Sequence, residues 1–153
     1  MKQELIKRLE KAFADVPYPG DENIGHYEVN DFIGQKDWTQ VPLGIVLNNR
    51  SELRLFSAEG FHFYLPVYIR AVLLYPEADD LCDYIVAVLL VDRPLFREWV
   101  EWVIKRFSNE QKAVVIEFMK LYPELFPDSA YTMIDFARAQ LEEAIGFWQS
   151  QVT

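Results

Sequence analysis

Apolar and charged residues follow each other at helical spacing at the start of the chain. The apolar positions recur three and four residues apart, which predicts an amphipathic helix over residues 3–15. They are Leu5, Ile6, Leu9, Ala12, Phe13 and Val16. Residues 17–20 contain two prolines and a glycine. This segment is therefore expected to end the helix, because proline cannot continue it.

The segment 58–75 is apolar on nearly every face, so we expect it to form a central helix against which the others pack. Ser57 is a suitable N-cap for this helix. Pro66 lies inside the segment and cannot donate a backbone hydrogen bond to the carbonyl of His62. A kink in the central helix is therefore expected at Pro66.

The next segment, residues 79–91, begins with Asp79, Asp80 and Asp83 and then becomes wholly apolar. Acidic side chains suit the first turn of a helix. The β-branched residues within 85–88 suit a buried strand equally well. A helix is the preferred interpretation, and the choice between helix and strand stays open for residues 84–91.

Two further helices are predicted from their boundary signals. Pro94 fits the first turn of one helix, because its missing N–H would have no partner there. Ser108 and Gln111 form a capping-box pattern at the start of the next. Pro123 and Pro127 are expected to close that second helix.

The last helix is predicted to begin after an N-cap at Asp128 or Ser129. It carries a regular apolar stripe: Ala130, Ile134, Ala137, Leu141, Ile145 and Trp148. Residues 17–57 are more irregular, since five of the six glycines lie between Gly20 and Gly60. Short helices are expected near residues 27–33 and 41–47, and an extended stretch at residues 53–56.

These patterns together predict one all-α domain over residues 1–153, built as a compact bundle of about five to seven helices around residues 58–75. Irregular loops are expected between residues 17 and 57. The chain has 51% hydrophobic and 15% aromatic residues, enough for a substantial core.

The formal net charge of −9, from 24 acidic and 15 basic residues, changes which partners are expected. Nucleic acid and anionic membranes are disfavoured, because both attract basic surfaces. A basic protein partner is favoured by charge complementarity. Cys82 is the one cysteine, so no intramolecular disulfide is possible. The first residues lack the pattern of a secretion signal, and we expect a cytoplasmic protein.

Glu59, His62 and Arg70 share one face of the predicted central helix with Pro66. A carboxylate, an imidazole and a guanidinium are suitable for anion binding or acid/base chemistry. A plain polar strip, which meets water or a capped polar contact, is the preferred interpretation. No catalytic residue, metal site or cofactor is assigned, because nucleotide-binding, zinc and hydrolase motifs are absent. Cys82 is interpreted as a small core residue.

Phe96, Trp99 and Trp102 provide a second candidate surface, on the helix that follows Pro94. Tryptophan is a frequent anchor of protein interfaces when it is exposed. The preferred interpretation is that the same residues are the core-facing side of the helix. A partner-binding site is therefore predicted here only if this face is exposed.

Residues 61–69 read F-H-F-Y-L-P-V-Y-I. This segment resembles a family of small bacterial proteins of uncharacterised function, whose hallmark is a helix of the type F-x-Y-Y-L-P-A-Y-L. The chain departs from that pattern at Phe63 and Val67, where the family has Tyr and Ala. The likeness extends over most of residues 5–121. It implies a bacterial helical domain, and it implies no activity.

The leading functional hypothesis is a non-enzymatic protein-binding module, for example an immunity-type or regulatory protein that neutralises a basic partner. One alternative is a small ligand-binding domain or enzyme that uses Glu59, His62 and Arg70. Another is a homo-oligomeric structural protein that pairs through its aromatic surface.

Overall fold

A computed structural model describes residues 1–78 and 80–153 of the chain. In this part of the chain it contains eight α-helices and three 3₁₀ helices and no β-strand, which confirms the predicted all-α fold. The α-helices are α1 (Lys2–Ala12), α2 (Leu43–Asn48), α3 (Ala58–Leu74), α4 (Leu81–Leu89), α5 (Pro94–Ile104), α6 (Asn109–Leu125), α7 (Ala130–Met133) and α8 (Asp135–Ser150). The 3₁₀ helices span Tyr27–Phe32, Trp38–Gln40 and Leu53–Leu55.

The central helix of the fold is α3, as predicted. It begins where the Ser57 hydroxyl accepts a hydrogen bond from the backbone N–H of Gly60 at 2.9 Å. It then runs through Pro66 to Leu74 as one helix. Helices α1, α2, α4 and α5 all contact it. The sequence has so few polar positions here because α3 has neighbours on almost every side.

Helix α4 settles the helix-or-strand question for residues 84–91 in favour of a helix, which ends at Leu89. Its β-branched run reflects burial, because Ile85, Val86 and Val88 all lie in the core. Asp83 occupies its first turn, as expected. Asp79, which was grouped with the helix-start acids, lies outside the described residues.

Helix α6 is longer than the sequence suggested. The Ser108–Gln111 capping box is present at its start. Pro123, however, lies within the helix, which ends at Leu125 just before Phe126 and Pro127. A proline near the C-terminus interrupts only one backbone hydrogen bond, and the packing of this segment offsets that loss.

The last helical segment was predicted to be a single helix, which is wrong. Ile134 has extended backbone angles (φ −97°, ψ 120°) and separates α7 from α8. Ser129 caps α7 by accepting a hydrogen bond from the N–H of Tyr131 at 3.2 Å. At the break, the carbonyl of Thr132 accepts a hydrogen bond from Arg138 Nε at 3.0 Å, so a side chain replaces a helical partner.

The irregular region 17–57 is tied to the start of α3 by two backbone hydrogen bonds. The N–H of His26 donates to the carbonyl of Leu55 at 2.8 Å, and the N–H of Ser57 donates to that of Ile24 at 2.9 Å. The extended stretch expected at residues 53–56 is wrong, since Leu53–Leu55 is a 3₁₀ turn that buries Leu53. Gly60 allows the close approach, because a Cβ there would lie 2.1 Å from the Ile24 oxygen.

Candidate functional site

The polar face predicted on α3 is present, but its three members have different partners. Glu59 Oε1 forms an ion pair with Arg106 Nη2 at 2.7 Å. Both side chains are nearly half exposed, with relative accessibilities of 45% and 46%, so the pair contributes at most about 1 kcal/mol.

His62 joins three helices. Its Nε2 lies 2.8 Å from Gln111 Oε1, and Gln111 Nε2 donates to the carbonyl of Ala12 at 2.9 Å. The backbone N–H of Ser108 also donates to Gln111 Oε1, which identifies this atom as the amide oxygen. The imidazole N–H is therefore the donor in the contact between His62 and Gln111. The ring lies 4.9 Å from that of Phe107, and burial lowers the pKa of His62. These contacts explain His62 as a connection between α1, α3 and α6.

Arg70 is engaged at a third place. Its Nε donates to Glu10 Oε2 at 3.2 Å, and its Nη1 donates to the carbonyl of Thr39 at 3.3 Å. It also lines a cavity of about 240 Å³ beside Trp38. Glu59, His62 and Arg70 therefore share a face without sharing a partner, and a ligand-binding role for them stays a prediction.

The three aromatic residues that were predicted as a surface on α5 differ in their exposure to solvent. Trp99 is half-buried, with its ring edge-on to Phe61 at 4.8 Å. Phe96 is half-buried, and the guanidinium carbon of Arg54 lies 3.9 Å from the centre of the Phe96 ring. Trp102 is 51% exposed, and Leu95, two turns earlier on the same face, is 76% exposed. Trp102 is thus the member of the set that is free to meet a partner.

A different cavity combines ionisable and apolar side chains. It measures about 420 Å³ and lies between residues 76–77 and 80–83 on one side and the turn between α6 and α7 on the other. Its walls combine apolar side chains, carboxylates, a thiol and a hydroxyl. They are Pro76, Glu77, Asp80, Cys82, Asp83, Leu125, Phe126, Pro127, Asp128 and Ser129. A volume of this size lies within the usual range for ligand-binding sites, roughly 300–1,000 Å³.

A hydrogen-bonded group fixes Asp83 in this cavity. The Tyr122 hydroxyl lies 2.9 Å from Asp83 Oδ1, the Ser129 hydroxyl lies 2.7 Å from the same oxygen, and the two hydroxyls are 2.7 Å apart. Tyr122 and Ser129 are both buried. The two hydroxyls carry two protons for three short contacts, so in every arrangement at least one of them donates to Oδ1.

The thiol of Cys82 lies 3.7 Å from Asp83 Oδ1 and also lines the cavity. Burial raises its pKa, which keeps it in the neutral form, and burial likewise raises the pKa of Tyr122. Neutral groups of this kind serve as hydrogen-bond donors to a carboxylate, and a neutral thiol reacts only slowly as a nucleophile. The group therefore positions a negative charge.

The charge around the cavity is one-sided. Glu77, Asp80, Asp83 and Asp128 line it, and none of its described lining residues is basic. Asp80 forms an ion pair with Arg50 at 3.1 Å. Within the described part of the chain, no ion pair joins Glu77, Asp83 or Asp128 to a basic residue. The cavity is thus suited to a positively charged ligand.

Sequence reasoning treated the members of this site separately. Cys82 was interpreted as a core residue, Asp83 as a helix-start acid and Ser129 as an N-cap, and all three descriptions agree with the structure. Their meeting point was missed, because Tyr122 and Ser129 lie 39 and 46 residues from Asp83. No spacing within one helix connects residues so far apart in the chain.

Among the described residues, no group of three or more His, Cys, Asp or Glu side chains is arranged to hold a metal ion, and no helix has the length and hydropathy of a membrane span. No curated protein and no solved structure matches the chain. A family model matches residues 1–152, which confirms the resemblance to an uncharacterised family. The chain belongs to the family of unknown function DUF6714.

Proposed function

We propose that this protein is a non-enzymatic protein-binding module of the bacterial cytoplasm, which neutralises or regulates a more basic protein partner. The observation that carries the proposal is the cavity beside Asp83, which has four carboxylates, one of them paired with Arg50, and no basic side chain among its described lining residues. A net charge of −9 favours the same class of partner, because opposite charge speeds the encounter of two proteins.

The surroundings of the cavity support a protein partner. Leu74 and Tyr75, directly before Pro76, are 42% and 51% exposed, and Tyr84, directly after Asp83, is 37% exposed. Exposed aromatic side chains supply contact area at low entropic cost and are enriched at interfaces. These three side chains line other clefts, so they add exposed apolar contact area outside the acidic cavity.

The proposal is tested by comparing two variants with equal net charge. The cavity variant carries Glu77→Gln, Asp80→Asn and Asp128→Asn. The control variant carries Glu110→Gln, Glu142→Gln and Glu143→Gln, at exposed positions that do not line this cavity. Each form is immobilised and exposed to a bacterial lysate, and the captured proteins are then purified and titrated against all three forms.

We expect a basic partner whose affinity falls about tenfold or more in the cavity variant and stays near wild type in the control. Equal losses in the two variants would show that only overall charge is recognised and would contradict the proposal. Capture of a second copy of this chain would support the homo-oligomer instead.

A further inference from the structure

We propose that the cavity beside Asp83 receives the ammonium group of a lysine side chain from the basic partner, and that it discriminates against arginine. This inference rests on the proposed function, because it names the chemical group of the partner that enters the cavity. The features that carry it are the hydrogen bonding of Asp83, the apolar walls and the distribution of charge.

The two carboxylate oxygens of Asp83 are not equivalent. Oδ1 lies within 2.9 Å of the Tyr122 hydroxyl and 2.7 Å of the Ser129 hydroxyl, so it is already used as an acceptor. Oδ2 accepts no hydrogen bond from a described residue and is not among the buried atoms without a partner. One accessible oxygen of a fixed carboxylate thus remains for a donor.

This arrangement favours ammonium over guanidinium. The strongest arginine–carboxylate geometry is bidentate, with two parallel N–H donors on two free carboxylate oxygens. Because Oδ1 already accepts at least one hydroxyl proton from Tyr122 or Ser129, Asp83 does not offer two free oxygens for that geometry. An ammonium group is a compact charge with three donors, and one of them can bind Oδ2 while the others reach water or the rim carboxylates.

The walls of the cavity match the rest of a lysine side chain. Leu125, Phe126 and Pro127 provide apolar surface on the α6–α7 side, and Pro76 provides it on the other. A lysine buries its four methylene groups along such surface while its ammonium group stays with polar partners. Glu77 and Asp128 have no ion-pair partner among the described residues and add to the attraction.

The test is a titration of ¹⁵N-labelled protein, followed by amide chemical shifts. The probes are three peptides of one glycine-rich sequence that carry lysine, arginine or Nε-acetyl-lysine at the same positions; spermidine is a fourth probe. We expect the lysine peptide to bind about fivefold or more tightly than the arginine peptide, and the acetylated peptide not to bind. The shifts are expected to be concentrated in residues 76–84 and 122–131.

Asp83→Asn should remove the preference for lysine and weaken its binding by about tenfold. Glu110→Gln is the control, because Glu110 lies at the opposite end of α6, about 22 Å from Leu125 at the helical rise per residue. Since Asp83→Asn also alters a hydrogen-bonded group, Asp128→Asn at the rim provides a second variant, which should weaken lysine binding while it leaves Asp83 in place.

Equal binding of the lysine and arginine peptides, or equal behaviour of Asp83→Asn and Glu110→Gln, would overturn the lysine inference and leave the proposed function standing. Binding of spermidine as tightly as the lysine peptide would overturn the assignment to a protein side chain. If neither basic peptide binds and no basic partner is captured in the two-variant comparison, the proposed function fails together with the inference.

Discussion

Substituting Gly60 by alanine tests the close approach of α3 to the backbone of Ile24. The new Cβ atom would lie 2.1 Å from the carbonyl oxygen of Ile24, where ordinary contact begins near 3.4 Å. Both sides of this contact are backbone, so no side-chain rotation can relieve it. Either α3 or the segment around Ile24 must move by about 1.3 Å, the difference between the two distances.

The cost of that movement follows from the same contacts. The Ile24 oxygen accepts the backbone N–H of Ser57 at 2.9 Å, and a shift of this size breaks the bond. Overpacking costs about 1–3 kcal/mol, and the lost hydrogen bond costs about 0.5–1.5 kcal/mol. The higher helix propensity of alanine recovers at most about 1 kcal/mol. We expect Gly60→Ala to lower the free energy of unfolding by about 2–3 kcal/mol.

Thermal unfolding followed by circular dichroism measures the effect. For a chain of this size the expected loss lowers Tm by about 4–12 °C. Gly146→Ala in α8 is the matched control, because a Cβ there meets no atom within 4 Å. It should raise stability by up to about 1 kcal/mol. If Gly60→Ala is as stable as wild type, residues 24 and 60 are not in contact in solution, and the described packing of the loop region on α3 is wrong.

Four other substitutions test separate parts of the structure. Burial lowers the pKa of folded His62 below its ordinary value of 6.5, so the unfolded chain takes up this proton at a higher pH than the folded protein does. The free energy of unfolding should therefore fall as the pH drops below 6.5. Urea unfolding at several pH values should show this dependence in the wild type and not in His62→Asn. Tyr122→Phe removes the hydroxyl beside Asp83 and should lower the free energy of unfolding by about 1–2 kcal/mol in the same assay. Trp102→Ala should change stability by less than about 0.5 kcal/mol, whereas Trp99→Ala, which loses the contact with Phe61, should cost about 2 kcal/mol or more. Equal effects of the two tryptophan substitutions would contradict the described orientation of α5.

The long helices could be predicted because their periodicity extends over many residues. In α3, the small number of polar positions indicated a central position, and the structure confirms it. The Ser108–Gln111 capping box was recognisable because its two residues are three positions apart. Predictions of this type depend only on local spacing, which the sequence contains in full.

Short elements and boundaries were less predictable, because tertiary contacts decide them. Next to the break at Ile134, the side chain of Arg138 donates to the carbonyl of Thr132, six residues earlier in the chain. The 3₁₀ turn at Leu53–Leu55 depends on the burial of Leu53. Pro123 looked like a helix end, but α6 continues for two more residues. None of these outcomes is visible in the local pattern of apolar and polar residues.

The candidate site was the least predictable feature. Its central carboxylate, Asp83, depends on hydroxyls contributed by α6 and by the turn before α7. Gln111 shows the same limit, since the capping pattern predicted its bond to Ser108 but not its contacts with His62 and Ala12. Side-chain groups assembled from distant segments require the fold before they can be recognised.

The most direct test of the acidic cavity as a binding site uses Cys82. It is the only cysteine of the chain, and it lines the cavity, so its alkylation rate reports whether the cavity is occupied. The rate is measured by mass spectrometry with increasing amounts of the captured basic partner or the lysine peptide. We expect the rate to fall in proportion to the bound fraction, and Glu110→Gln to behave like wild type. An unchanged rate at full binding would place the partner elsewhere on the surface and would contradict a role for this cavity.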